Sequence, residues 1–306
     1  MSIKTFIWGL VIVSIVGIGT VTAVTQEPQE DVRGAFLTTR PKPADNSSKS
    51  SAPRPSRRRP KSQAAKTTTS TNAGTTAGAN AGTTTAGTKE TPVKVAPQKI
   101  GVGLTLLSRD SLGLTVRIDP TRTFHKGDRV RVLLETNTDG HLYIFNTTND
   151  GKPMMIYPNK ELDEGGNYLQ AHVPFEIPSS TASEERLRWL VFDQYAGNER
   201  LYFVFSREPL AGVPIEDELI AFCNDEKNRC PLEPSAEVWA QVLKELDEPL
   251  KMATASRFGK AQTEPEREAI ARGLGLSTQE PEPSLIMMSS SDKAGTLVTM
   301  LELIHK

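Results

Sequence analysis

The residues that could carry out acid–base or nucleophilic chemistry are few and scattered along the chain. No serine lies in the G-x-S-x-G pattern that places a nucleophile on a strained turn in one large class of hydrolases. No two histidines stand four positions apart, the spacing that binds zinc on a helix. The sequence therefore predicts no catalytic, metal-binding or cofactor-binding residues, and hence no enzyme. The four histidines are His125, His141, His172 and His305.

Two other chemical interpretations stay open as alternatives. An unrecognised secreted hydrolase would need His125 or His172 in a cleft with a carboxylate and a nucleophile. Asn159, Glu161, Asp163 and Glu164 crowd one loop whose oxygens could bind calcium, but the D-x-D-x-D-G spacing is missing. A solvated loop is favoured there, because carboxylates are mostly exposed in any case.

The N-terminus predicts the compartment. Lys4 precedes an apolar run that ends at Val24, and small residues near its end suit removal of a signal peptide, residues 1–23. The run approaches the roughly 20 residues that span a bilayer, so a membrane anchor at residues 5–24 is the alternative. Both interpretations place the rest of the chain outside the cytoplasm, either secreted or periplasmic or held at the membrane.

The two cysteines, Cys223 and Cys230, enclose six polar residues. Outside the cytoplasm, the default for such a pair is a disulfide that closes a short loop. The C-x6-C spacing does not match the C-x2-C of thioredoxin-like motifs, and zinc would need further ligands nearby. The sequence therefore predicts a structural disulfide.

Residues 24–99 predict a disordered tether rich in Pro, Thr, Gly and Arg. Residues 41–99 offer almost no side chains to bury, so ordering them would cost entropy with no apolar return. As a flexible chain they would span about 40–45 Å on average. The charge divides at the same boundary: residues 37–99 carry 12 Lys and Arg against 2 Asp and Glu, whereas residues 100–306 carry 22 against 32.

A basic stretch in this tether contains Arg57, Arg58, Arg59 and Lys61. Nucleic acid is disfavoured as a partner, because the signal peptide leads outside the cytoplasm and no aromatic residues interleave for base stacking. A solvated charge run is favoured. Weak contact with anionic polymers or lipid headgroups is the alternative, with residues 37–66 acting as an anionic-surface tether.

From Ile100 onward, short apolar runs bounded by turn residues predict strands. Arg129 to Asn137 alternates between apolar and polar residues, and Asp139-Gly140 and Asp150-Gly151 then punctuate the next two runs, which predicts a three-stranded meander. The pattern predicts a mainly β fold, an antiparallel β-sandwich over residues 100–306. The other predicted strands lie at 102–107, 112–118, 173–177, 187–193, 199–206, 285–288 and 296–304.

Helical signals interrupt the strands at about 210–283. Ser235 can cap a helix with an apolar stripe, and Thr263-x-x-Glu266 is a capping box for a second helix that ends near Gly273. We therefore predict a two-helix insertion, followed by a hairpin that returns to the sheets.

One ordered set of motifs resembles the bacterial domain-of-unknown-function family forty-three eighty-four, over about 124–209 and the closing strand at 297–305. The resemblance implies an all-β module on exported or envelope proteins, some of which carry kinase or caspase-like modules, and it assigns no catalytic residues. The motifs are Phe124-x-x-Gly127-Asp128-x-Val130-x-Val132, Asn137-x-Asp139-Gly140-x-Leu142-Tyr143-Ile144-Phe145-Asn146, Ile156-Tyr157-Pro158-Asn159, Ile177-Pro178, Trp189-Leu190-Val191-Phe192-Asp193 and Glu199-Arg200-Leu201-Tyr202-Phe203-Val204-Phe205-Ser206.

The aromatic residues of these motifs are expected in the core, since two packed sheets require such side chains. Tyr195 is the exception, because it lies in a polar turn beside Gly197, and it is the best candidate for an exposed partner contact. The function expected is a non-catalytic envelope interaction module that binds a protein or an envelope polymer.

Overall fold

The computed structural model describes residues 29–42, 98–161, 165–255 and 257–306. The signal segment at 1–23, residues 43–97 of the predicted tether, and Arg57, Arg58, Arg59 and Lys61 lie outside the described residues. Asp163 and Glu164 of the acidic loop also lie outside them.

Strands dominate the described residues. The helices are α1 (Gln29–Leu37), α2 (Glu216–Asn224), α3 (Ala236–Leu246) and α4 (Glu264–Arg272), with a 3₁₀ helix at Glu185–Arg188. The strands are β1 (Gly101–Arg109), β2 (Thr115–Arg117), β3 (Thr123–Phe124), β4 (Arg129–Thr136), β5 (Gly140–Thr148), β6 (Met154–Tyr157), β7 (Tyr168–Leu169), β8 (Phe175–Ile177), β9 (Leu190–Val191), β10 (Gly197–Ser206), β11 (Leu250–Thr254), β12 (Leu285–Ser289) and β13 (Thr296–His305).

These strands form two packed sheets, which confirms the predicted β-sandwich. The seven-stranded sheet runs β11-β12-β1-β4-β8, with β2 beside β1 and β9 beside β4. The six-stranded sheet runs β3-β13-β10-β5-β6, with β7 beside β5. Alternate side chains of β1 and β4 meet those of β5, β10 and β13 in one apolar core, as the two-residue period of a strand requires. Phe124, Tyr157 and Phe203, three of the expected core aromatics, are fully buried in it.

The predicted three-stranded meander is wrong at its first turn. β4 lies in one sheet and β5 in the other, so the Asp139-Gly140 pair carries the chain across the sandwich instead of closing a hairpin. Asp139 accepts hydrogen bonds from the Ala171 N–H and the Tyr168 hydroxyl, at 2.8 and 3.0 Å. The predicted closing hairpin fails in the same way, because β12 and β13 belong to different sheets. The β5–β6 hairpin is confirmed.

The insertion contains more structure than the two predicted helices. The Ser235 cap, the Thr263–Glu266 capping box and the left-handed Gly273 end are all confirmed. A third helix, α2, precedes them, and β11 joins the edge of the seven-stranded sheet. Helices α2 and α3 cover the outer face of the six-stranded sheet over a second apolar cluster that includes Tyr143.

Tyr143 connects this cluster to the chain that enters the insertion, because its hydroxyl accepts a hydrogen bond from the Leu210 N–H at 3.0 Å. Burial raises the pKa of the Tyr143 phenol, while the hydrogen bond from Leu210 and the interaction with Asn167 oppose the rise. The folded protein therefore holds this phenol in its neutral form.

We expect this phenol to make the fold sensitive to alkali. The pKa of this phenol in the folded protein is raised above the unfolded value of about 10. Its contribution to the free energy of unfolding is therefore complete below pH 10 and is lost as the pH rises further. Denaturant unfolding between pH 8 and 11.5 should show that loss, and Tyr143→Phe should reduce it. An unchanged alkaline slope in Tyr143→Phe would show that another group is responsible.

The predicted disulfide between Cys223 and Cys230 is present, with the Cα atoms 5.5 Å apart. It joins the end of α2 to the segment that precedes α3 and closes the polar loop between them. Because loop-closure entropy sets the scale, the double variant Cys223→Ser/Cys230→Ser should lower the free energy of unfolding by about 2–3 kcal/mol. Calorimetry with and without reductant measures the change, and the double variant should not respond to reductant.

The tether prediction is wrong for residues 29–42, which fold onto the body of the domain as an arm. Val32 and Phe36 of α1 are buried against Ala253, Ile286 and Met288 of β11 and β12. Arg40 follows, and its guanidinium is buried against the carboxylate of Glu135 on β4, with two hydrogen bonds of 2.7 and 2.6 Å. A composition-based prediction missed this because the arm is short and strongly polar, while its few buried residues stand four apart.

Arg40→Ala should lower the free energy of unfolding by about 3 kcal/mol, because removing one partner of a buried ion pair leaves the other charge uncompensated. Arg186→Ala is the matched control. Arg186 also has an ion pair of 2.6 Å, with Glu184, but its side chain is 74% exposed against 1% for Arg40. The control should change stability by less than about 0.5 kcal/mol. Equal effects in urea unfolding would contradict the role given to Arg40.

Candidate functional site

The structure does not bring the four histidines together. His125 is exposed on a turn, and His141 is buried against the Asn167 side chain at 3.0 Å. His305 packs against Phe192 at a tilt, with ring centroids 5.0 Å apart. His172 alone lies between a carboxylate and a hydroxyl, so it is the histidine that the hydrolase alternative would use.

The His172 arrangement has the order of a hydroxyl–imidazole–carboxylate triad. Nδ1 lies 2.7 Å from Glu135 Oε1, and Nε2 lies 2.7 Å from Thr39 Oγ1. The sequence offered no signal for it, because Thr39 belongs to the arm, Glu135 to β4 and His172 to the loop before β8.

The surroundings of this triad fit a role in holding the arm in place better than a role in activating a nucleophile. The Thr39 hydroxyl has one proton and also lies 2.6 Å from the Phe36 carbonyl, to which it donates. The Glu135 carboxylate accepts hydrogen bonds from Arg40 on both oxygens, so its Oε1 is shared between Arg40 and the imidazole.

A different region has the form of a binding site. A cleft of about 230 Å³ opens between the two sheets, and we call it the β9–β10 cleft. Seven of its lining side chains are apolar and four are polar. The lining residues are Val130, Asn146, Ile156, Leu190, Val191, Phe192, Asp193, Glu199, Leu201, Leu303 and His305.

The loop from β9 to β10 forms one rim of this cleft and is firmly held. Phe192 exchanges backbone hydrogen bonds with Gly127 and Asp128 and stacks on Phe124, with centroids 4.7 Å apart. Asp193 Oδ1 then accepts the Tyr195 N–H at 2.7 Å and fixes the turn. Tyr195 is 70% exposed, as predicted for it, and Val191 on the same rim is 55% exposed.

Asn146, one of the residues that line the cleft, has an acceptor without a partner in the part of the chain that the structure describes. Its Nδ2 donates to Glu199 Oε2 at 3.0 Å, which fixes the amide orientation because the reverse would set two oxygens against each other. Its Oδ1 is therefore left buried, with no hydrogen-bond partner among the described residues. Such a group costs free energy unless a ligand or water supplies a donor.

The acidic loop gives no support to a calcium site. Asn159 Oδ1 accepts the Glu161 N–H at 2.8 Å, so it is used within the turn. In the described ranges, no group of three or more His, Cys, Asp or Glu side chains is placed to hold a metal ion. No helix in the same ranges is long and apolar enough to cross a membrane.

The comparisons with known proteins agree with the resemblance seen in the sequence. A family model described as a domain of unknown function (DUF4384) matches residues 123–209. No curated protein and no solved structure matches the chain. Nine of the eleven residues that line the β9–β10 cleft fall inside the matched range, and none falls inside the insertion.

Proposed function

We propose that the protein is a non-catalytic extracytoplasmic interaction module of the bacterial cell envelope, and that it binds a partner protein in the β9–β10 cleft. The observation that carries the proposal is a mostly apolar cleft between the two sheets, one of whose lining residues, Asn146, has a buried Oδ1 with no hydrogen-bond partner among the described residues. The ligand that fits is an extended polypeptide segment with one apolar side chain and a nearby N–H or cationic donor.

The apolar part of the cleft supports a polypeptide ligand. Leu190, Leu201 and Leu303 lie on its inner walls, and Val191 opens to solvent at the rim. Burying a Leu- or Phe-sized side chain among such walls contributes about 1.5–3 kcal/mol. Ligand pockets commonly pair a mostly apolar lining with a few polar groups that fix orientation.

The polar part of the cleft sets the charge of the expected ligand. Asp193 and Glu199 carry the two carboxylates that line it, and Asn146 is the amide among its lining residues. No Lys or Arg lines the cleft. A segment with Lys or Arg beside its apolar residue therefore complements the site.

An envelope glycan fits the cleft less well. Sugar rings commonly stack on exposed aromatic faces, but Tyr143, Phe145, Tyr202 and Phe205 are buried in the two apolar clusters. Tyr195 is 70% exposed beside the cleft, but one ring is a small platform. The extracytoplasmic setting is supported by the Cys223–Cys230 disulfide, since such bonds persist in oxidising compartments.

The proposal is tested by selecting displayed random peptides on the immobilised mature protein and measuring their affinities by fluorescence anisotropy. The selected peptides should share an apolar residue close to Lys or Arg. Val191→Asp should weaken their binding at least tenfold, because it places a charge at the apolar rim, and Tyr195→Ala should weaken it severalfold.

Leu112→Asp is the matched control, because Leu112 is 82% exposed on the turn between β1 and β2 and does not line the cleft. It should leave peptide affinity unchanged. Peptides that bind equally to wild type and Val191→Asp would overturn the assignment of the cleft. If purified envelope polysaccharide bound at this rim and no peptide did, the partner would be a polymer and the proposed protein ligand would be wrong.

A further inference from the structure

The arm, residues 29–42, lies in a groove across the outer face of the seven-stranded sheet. Its three buried contact residues, Val32, Phe36 and Arg40, stand four positions apart. The first two lie on one face of α1, and Arg40 follows after the helix ends at Leu37. This is the spacing by which short helical ligands present anchors to a groove.

The apolar end of the groove is shaped for Phe36. A side-chain carbon added at Gly101 would lie 2.8 Å from Phe36 Cδ2, closer than carbon atoms approach. The phenylalanine ring therefore rests on the backbone of β1, where glycine leaves the space. The edge of the His172 ring adds a further contact, with centroids 5.6 Å apart.

The polar end of the groove is built for a guanidinium. Arg40 donates to both carboxylate oxygens of Glu135 and to the carbonyls of Ser277, Glu280 and Pro281, at 2.6–3.1 Å. A planar fork of N–H donors matches this set of acceptors, and a lysine ammonium would not. The apolar and polar ends together specify the arm sequence.

All of these contacts join the arm to residues beyond 100, and 55 residues separate Lys42 from Gln98. For a flexible chain of that length, the average span is about 40 Å, and the effective concentration of the arm at its own groove is of millimolar order. A groove that recognises the arm by side chains does not distinguish its own arm from that of a neighbour.

We propose that this groove is a self-association site, which accepts the arm of a second copy of the chain when copies are crowded. The arm docks on its own domain in dilute solution. It exchanges between neighbours when the local concentration of chains approaches the millimolar range, as expected for an exchanged element on a long connection. This inference is independent of the β9–β10 cleft.

Complementing variants test the exchange in the full-length mature chain. Phe36→Glu should release the arm and leave its groove empty, whereas Gly101→Val should block the groove and leave its arm free. Each variant alone should remain monomeric in light scattering at 100 μM. An equimolar mixture should form a 1:1 dimer of twice the mass, which disappears when the Gly101→Val chain also carries Arg40→Ala.

Lys42→Ala in the Gly101→Val chain is the control for charge, because Lys42 is an exposed cation two positions from Arg40. It should leave the dimer intact. A mixture that stays monomeric, although both variants unfold with cooperative transitions, would overturn the proposal. A mixed dimer that ignores Arg40→Ala would also overturn it, since the association would then use another surface.

A second measurement covers the case in which either variant fails to fold. A specific protease site is introduced between Thr75 and Thr76 of the otherwise native chain, the protein is cut, and a fluorescent peptide of residues 25–42 is added in excess. Incorporation of the peptide, with at least tenfold less for the Arg40→Ala peptide, would support exchange. No incorporation would show that the arm is a permanent part of its own domain and would overturn the proposal.

Discussion

The buried carboxylate of Glu135 is the constraint on which the outer half of the seven-stranded sheet depends. A charge that is 3% exposed is tolerated only when cations and hydrogen-bond donors surround it. Arg40 and His172 supply them, one from the arm and one from the loop before β8. Arg40 also donates to carbonyls at 277–281, in the segment before β12. Four distant parts of the sequence, namely the arm, β4, the loop before β8 and this segment, therefore meet around the Arg40–Glu135 pair.

The same face of the sheet repeats this arrangement. Arg117 on β2 pairs with Glu266 of α4, and Arg131 on β4 pairs with Glu176 of β8, all four side chains being buried. Burial lowers the pKa of Arg131, and the nearby Glu176 carboxylate counters that shift. Such pairs contribute little net stability compared with apolar packing, but they select the covering segment, because a wrong one would leave a charge unpaired. The six-stranded sheet is covered instead by apolar contacts with α2 and α3.

Local signals predicted what local physics determines. The β-strand runs, the Ser235 cap, the Thr263–Glu266 capping box, the disulfide and the exposed Tyr195 each depend on residues close in sequence or on the redox compartment. Which strands pair with each other does not depend on residues close in sequence. The Asp139-Gly140 pair is an equally good signal for a hairpin and for a crossing between sheets. Which of the two forms depends on which sheet edge is free to accept the next strand. The cleft was missed because Asn146, Leu190 and His305 approach one another only when both sheets are assembled. The docking of the arm was not predicted because its anchor, Arg40, is charged. A charged residue is expected at the surface unless its buried partner is known.

The return of the chain from the arm to β1 gives the molecule a mechanical property. A pulling force applied at Gln29 acts first on the packing of α1, where Val32 and Phe36 are buried, and then on the Arg40–Glu135 contact. While these contacts hold, the load passes from the arm into the body of the domain through β11, β12 and β4. If they ruptured, the load would pass to the 55 residues between Lys42 and Gln98, whose contour length is about 180–200 Å. The contacts of the docked arm would then yield to tension before the β-sandwich does.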